Sequence, residues 1–148
     1  LNLGRLYRKM GRTDEAISYY RKAIERNPRF AGAYFNLGVL YESLGNEEEA
    51  MRHYREALEK DSALSEACLN IGNIHYRRGE YERAREFYGK AIRLFPRFAQ
   101  AHYNLGIVCS IEGRLEEAVG HWEKALSFDP GHRGAAEKIR QFGKRGAQ

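Results

Sequence analysis

The feature that most constrains this 148-residue chain is that it repeats itself every 34 residues. Gly4, Gly38, Gly72 and Gly106 recur at that interval, as do Gly11, Gly45, Gly79 and Gly113. Ala16, Ala50, Ala84 and Ala118 follow in step, then the aromatics Tyr20, Tyr54, Tyr88 and Trp122, then Ala23, Ala57, Ala91 and Ala125. Pro28, Pro96 and Pro130 close three of the units, and Ser62 stands where the second unit's proline would be. A unit this short cannot bury a hydrophobic face alone, so successive copies must stack and share one core.

Each unit divides into two amphipathic helices. In the second unit Tyr34, Leu37, Gly38 and Tyr41 form an apolar stripe of period 3.6, and Gly45 ends that helix as a left-handed cap. Asn46 caps the next helix, with Glu47, Glu48 and Glu49 at its positive end. Ala50, Tyr54, Ala57 and Leu58 make the inner stripe of that helix. Glycine facing alanine lets two helices approach closely, with the aromatic filling the space between stacked units. His102 and Cys109 occupy the positions of Tyr34 and Tyr41 and read as core filling, whereas His53 and His121 read as interface or surface residues.

This set resembles the tetratricopeptide repeat family. The residues that carry the resemblance are Leu3-Gly4, Leu37-Gly38, Ile71-Gly72 and Leu105-Gly106, the second glycine, both alanines, the intervening aromatic and the proline. The fold it implies is all-α, a right-handed α-solenoid of antiparallel helix pairs. Four units are expected over residues 1–132, namely a truncated 1–30, then 31–64, 65–98 and 99–132, followed by a capping helix and tail over 133–148. In that tail Ala136 and Ile139 are expected to pack back. Because the pattern opens part-way through a unit at Leu1, the chain reads as an excerpt of a longer one.

Asparagine is a poor helix former, yet Asn2, Asn36, Asn70 and Asn104 sit at the repeat interval inside the first helix of each unit. Asn36 lies about 100° round the helix from Leu37, off the core stripe. In tetratricopeptide solenoids that flank lines the concave groove, so the resemblance places the four amides along an inner wall. The ladder is similar to that of the superhelix of the O-linked N-acetylglucosamine transferases, which implies a grip on the backbone of an extended polypeptide. The competing reading is that each asparagine bonds to a neighbouring repeat or to water.

The remaining groove candidates are Arg5, Arg8, Lys9, Phe35, Val39, Asn73, Tyr76, Arg77, Tyr103 and Ile107, a wall that grades from a basic end to an apolar one. The basic end favours an acidic segment in the ligand. The clamp that some family members close on chaperone tails needs basic residues where this chain has Leu1, Glu66 and Asn70, so that specificity is disfavoured.

Composition narrows the function classes further. Residues 1–30 carry eight basic and three acidic side chains, 31–64 three and seven, 65–98 seven and four, 99–132 two and five, and 133–148 five and one. The sign alternates between units, so the net charge of +5 makes no continuous basic stripe and nucleic acid is disfavoured. No run of about 18 apolar residues could span a membrane. Cys68 and Cys109 fall at unlike points of the repeat and read as free, buried thiols, which fits a cytoplasmic location. No phosphate loop, catalytic motif or metal-spaced histidine pair is seen, so no enzyme activity, cofactor or metal is expected. The sequence thus reads as a protein-protein interaction module that binds an extended or helical peptide of a partner in its concave groove. The alternatives are a self-assembling scaffold and the substrate-capturing arm of a larger enzyme such as a glycosyltransferase.

Overall fold

The structure is a computed structural model that describes residues 10–142. Among the described residues it contains eight α-helices and no strand. They are α1 (Thr13–Arg26), α2 (Ala31–Ser43), α3 (Glu47–Lys60), α4 (Ser65–Arg77), α5 (Tyr81–Leu94), α6 (Ala99–Ile111), α7 (Leu115–Phe128) and α8 (Arg133–Phe142). The all-α solenoid class expected from the repeat is the class observed. The chain divides into two compact units, one ending at Ala67 and the other starting at Cys68.

The turns follow from the punctuating residues. Gly11, Gly45, Gly79 and Gly113 have φ between 70° and 79°, where a Cβ would clash with the backbone. At Gly45 the glycine N–H bonds to the Glu42 carbonyl at 3.0 Å and the Asn46 N–H to the Tyr41 carbonyl at 2.9 Å, closing the helix end as a Schellman motif. Asn46 then caps α3, its Oδ1 accepting the Glu49 N–H at 3.3 Å. Between helix pairs the turn is set by a side chain that the proline pattern hides. Asn27, Asp61 and Asp129 each accept the N–H two residues on, at 3.0–3.1 Å. Asp61 therefore holds the turn at Ser62 without a proline.

In the first unit Ala16, Tyr20, Ala33, Leu37 and Leu40 form a buried cluster, with Phe30 and Tyr41 packed against it. In the second, Ile71, Ile74, Tyr88, Val108 and Trp122 are fully buried. The glycines of the stripe make room for the rings, and at Gly106 for the facing backbone as well, where the Ala118 carbonyl oxygen would stand 3.0 Å from a Cβ. A Cβ on Gly38 would stand 2.5 Å from Tyr54, one on Gly72 2.6 Å from Tyr88, and one on Gly106 2.5 Å from Trp122. Tyr54, Tyr88 and Trp122 thus lie on the glycine of their own helix pair, and rings also fill the contact with the next pair, as Tyr20 does beside Leu37 and Leu40.

Two further groups named from the sequence take definite places. His53 is buried, stacked on Tyr41 at 5.3 Å and paired with Glu56 at 2.8 Å, and His121 packs against His102. In α8 the fully buried residue is Ala135, while Ala136 and Ile139 are half-buried. Gly134 on the same helix seats the Tyr103 ring, and Phe142 meets Trp122 with ring centroids 5.7 Å apart.

Candidate functional site: a concave groove in the second unit

The second unit contains an open concavity of about 550 Å³. Asn73, Tyr76 and Arg77 of α4 line one wall, and Tyr103, Asn104 and Ile107 of α6 line another. These six come from the sequence-predicted set. They converge because α4 and α6 are corresponding helices of adjacent repeats, so like positions face the same way. Tyr88 of α5, Gln100 of α6 and Lys138 of α8 complete the lining. The sequence placed Tyr88 in the core, where it is 1% exposed, and its hydroxyl bonds to the groove residue Asn73. Lys138 was missed because it lies on the capping helix, although it stands one turn from Gly134 on the face that meets Tyr103.

Four polar side chains of the groove form one chain of hydrogen bonds. Gln100 Nε2 donates to Asn104 Oδ1 at 2.8 Å, and Asn104 Nδ2 donates to Asn73 Oδ1 at 2.8 Å. Tyr88 Oη donates to the same Asn73 oxygen at 2.9 Å. A carbonyl oxygen has two lone pairs, so Asn73 is saturated as an acceptor and presents its amide N–H groups instead. Burial raises the Tyr88 and Tyr103 hydroxyls above the usual phenol range, which keeps both protonated as donors. Arg77 and Lys138 are cationic, and no carboxylate is among the described residues that line the groove.

The other predicted residues lie elsewhere. Phe35, Asn36 and Val39 are half-buried on α2 in the first unit, Phe35 with its ring 5.7 Å from that of Tyr54. Asn36 donates Nδ2–H to the Gly32 carbonyl at 2.6 Å, which commits one of its hydrogens to its own helix. Asn70 is half-buried on α4, one turn before Asn73, and does not line the concavity. Asn2, Arg5, Arg8 and Lys9 lie outside the described residues. Asn36 and Asn104 are therefore not bare: Asn104 bonds to the preceding repeat and Asn36 to its own.

The lining residues offer amides, phenols and cations. Comparison with known proteins places the whole. Models of the tetratricopeptide repeat match residues 1–65 and 99–132, and a TPR repeat model matches 72–110. The chain belongs to the tetratricopeptide repeat family. As a tetratricopeptide repeat protein it is, in general terms, a protein-interaction scaffold, of a kind that is typically non-catalytic.

Among solved structures, this tetratricopeptide repeat chain is similar to MamA at 25% identity and a TM-score of 0.78, over 97% of this chain and 86% of that one. It is similar to PilF of Pseudomonas aeruginosa at 27% identity and a TM-score of 0.82, over 95% of this chain and 66% of that one. A further MamA structure matches at 26% identity and a TM-score of 0.74, over 96% and 74% of the two chains. No match was found among curated proteins. No helix among the described residues is long and apolar enough to cross a membrane.

Proposed function

We propose that the second unit binds an extended peptide of a partner protein in this groove. The observation that carries the reading is the orientation of Asn73: two intramolecular donors hold its oxygen, so its N–H groups are aimed by the fold and remain for a ligand carbonyl. Asn104 retains one N–H and one lone pair, enough to pair with a peptide unit in passing. An extended chain rises about 3.3 Å per residue and stacked helices lie about 8–10 Å apart, so α4 and α6 meet it at roughly every third residue. Contacts so spaced and made to backbone grip the ligand with little reading of its side chains. Lys138 and Arg77 favour an acidic residue beside the groove, while Ile107 and the rings of Tyr76 and Tyr103 accept apolar ones.

The test is a selection from a displayed library of random 12-residue peptides, followed by amide chemical-shift mapping of the bound complex. The reading expects shifts at Asn73, Tyr103, Asn104 and Lys138. Shifts confined to α5 and α7, or no enrichment of peptides, would overturn it.

A further inference from the structure

The repeat sets residues 41, 75 and 109 on the first helix of successive pairs, and residues 53, 87 and 121 on the second. In two of these pairs aromatic rings fill the contact: Tyr41 stacks on His53 at 5.3 Å and His75 on Phe87 at 5.5 Å. In the third pair the ring of the first helix is replaced by a thiol, Cys109, and His121 faces it. Glu117 stands one turn before His121 on α7. The Cys109 Sγ, a Glu117 carboxylate oxygen and a His121 ring nitrogen all lie within 4.8 Å of one another. We propose that Cys109, Glu117 and His121 bind a divalent transition-metal ion of the zinc type.

The hydrogen bonds around the cluster dictate which atoms it presents. The Pro96 carbonyl can only accept, so His102 Nε2, 3.0 Å away, carries the hydrogen. In the neutral ring His102 Nδ1 is then a lone pair, and it accepts from His121 Nδ1–H at 3.1 Å. That leaves His121 Nε2 as a lone pair, 4.0 Å from Glu117 Oε1. The relay from Pro96 through His102 thus does for His121 what an outer-shell partner does for a metal-bound imidazole, fixing its tautomer and its angle. Arg114 holds the other carboxylate oxygen, Oε2, at 2.9 Å and lies 3.6 Å from the Cys109 sulfur. It therefore orients Glu117 with Oε1 toward the cluster and stabilises the thiolate that coordination requires.

Thiolate with imidazole and one carboxylate selects a borderline or soft ion over calcium or magnesium. Zinc bonds of about 2.0–2.3 Å in a tetrahedron place ligand atoms roughly 3.3–3.6 Å apart, so the three must draw in by about 1 Å. Glu117 is exposed and supplies that movement, and water takes the fourth position. On binding, the Cys109 S–H proton leaves to solvent and the sulfur–metal bond replaces it.

Cobalt(II) chloride, titrated into the reduced full chain, gives the direct readout. We expect a thiolate-to-cobalt charge-transfer band that saturates at one equivalent and is bleached by zinc. Cys109→Ala should remove the band. His121→Phe, which installs the ring found at position 87, and Glu117→Gln should each weaken cobalt binding by about tenfold or more. Cys68→Ala should leave it intact. Because Glu117 is exposed, Glu117→Gln keeps the helix folded, and circular dichroism of each variant confirms it. No charge-transfer band in the parent, a band that survives Cys109→Ala, or an affinity unmoved by Glu117→Gln would overturn the site.

Discussion

Replacing Gly72 by alanine should destabilise the second unit although alanine is the better helix former. The added Cβ would stand 2.6 Å and 2.7 Å from two ring carbons of Tyr88 and 3.3 Å from a third. The ring cannot step aside cheaply, because it is 1% exposed and its hydroxyl is held by Asn73. Overpacking of this kind costs about 1–3 kcal/mol. Losing the Tyr88–Asn73 bond adds about 1 kcal/mol, and alanine's propensity returns about 1 kcal/mol. The net loss is therefore about 1–3 kcal/mol by the same terms. Gly120, in the middle of α7, is the control: no atom lies within 4 Å of its virtual Cβ, so Gly120→Ala should gain up to about 1 kcal/mol. Thermal unfolding followed at 222 nm resolves the two, since 1 kcal/mol shifts the midpoint of a chain this long by about 2–4 °C. A Gly72→Ala chain as stable as the parent would refute the claim that these glycines exist to seat the aromatic rings.

Leu37 is 1% exposed in the core of the first unit, so Leu37→Ala should cost about 2–5 kcal/mol in urea unfolding; a loss under about 1 kcal/mol would remove it from the core. Burial, with Arg52 beside it, holds the His53 imidazole below its ordinary range, against the pull of Glu56 and Glu49. The unfolded chain then takes up this proton first, so the folded state should lose stability as pH falls below about 6.5, and His53→Phe should flatten that slope. Greater stability at pH 5.5 than at 7.5 would contradict the sign. Burial raises the Cys68 thiol above its usual range and pushes Cys109 up to about 11, so both should react with a disulfide reagent at pH 8 far more slowly in the folded chain than in urea. Equal rates would place a thiol at the surface.

The fold was legible because its determinants are local and repeated. A left-handed glycine, a capping Asn46 and a period-3.6 stripe each act within one turn of their own position, and 34-residue copies of them leave no second architecture open. The groove was legible only in part. Asn73, Tyr76, Arg77, Tyr103, Asn104 and Ile107 could be placed because like positions on corresponding helices share a face. What each amide does depends on a partner brought by another element: Asn104 reaches Asn73, 31 residues earlier, and Tyr88 reaches it from α5. No window of sequence shows those bonds. Lys138 was hidden for a similar reason, since a cap read as one polar face gives no sign of which cation turns inward. Cys109 and His121 sit on separate helices, and only the loss of a ring at a position that holds Tyr41 and His75 elsewhere marked the place. That signal was in the repeat alignment, but a thiol replacing a ring also reads as ordinary core.

The central claim, that the fold aims Asn73 at a ligand backbone, is tested most directly by Asn73→Asp. The change keeps Oδ1 in place for Tyr88 and Asn104 and replaces the outward N–H₂ donor by a carboxylate oxygen, which accepts and carries negative charge. Thermal unfolding and affinity for a library-selected peptide are measured on the same sample. The account predicts an unfolding midpoint equal to the parent's or higher, with affinity lower by about tenfold or more, the equivalent of one lost hydrogen bond and a new acceptor–acceptor repulsion. Unchanged affinity with unchanged stability would show that Asn73 faces no ligand and that the groove is not where this chain binds its partner.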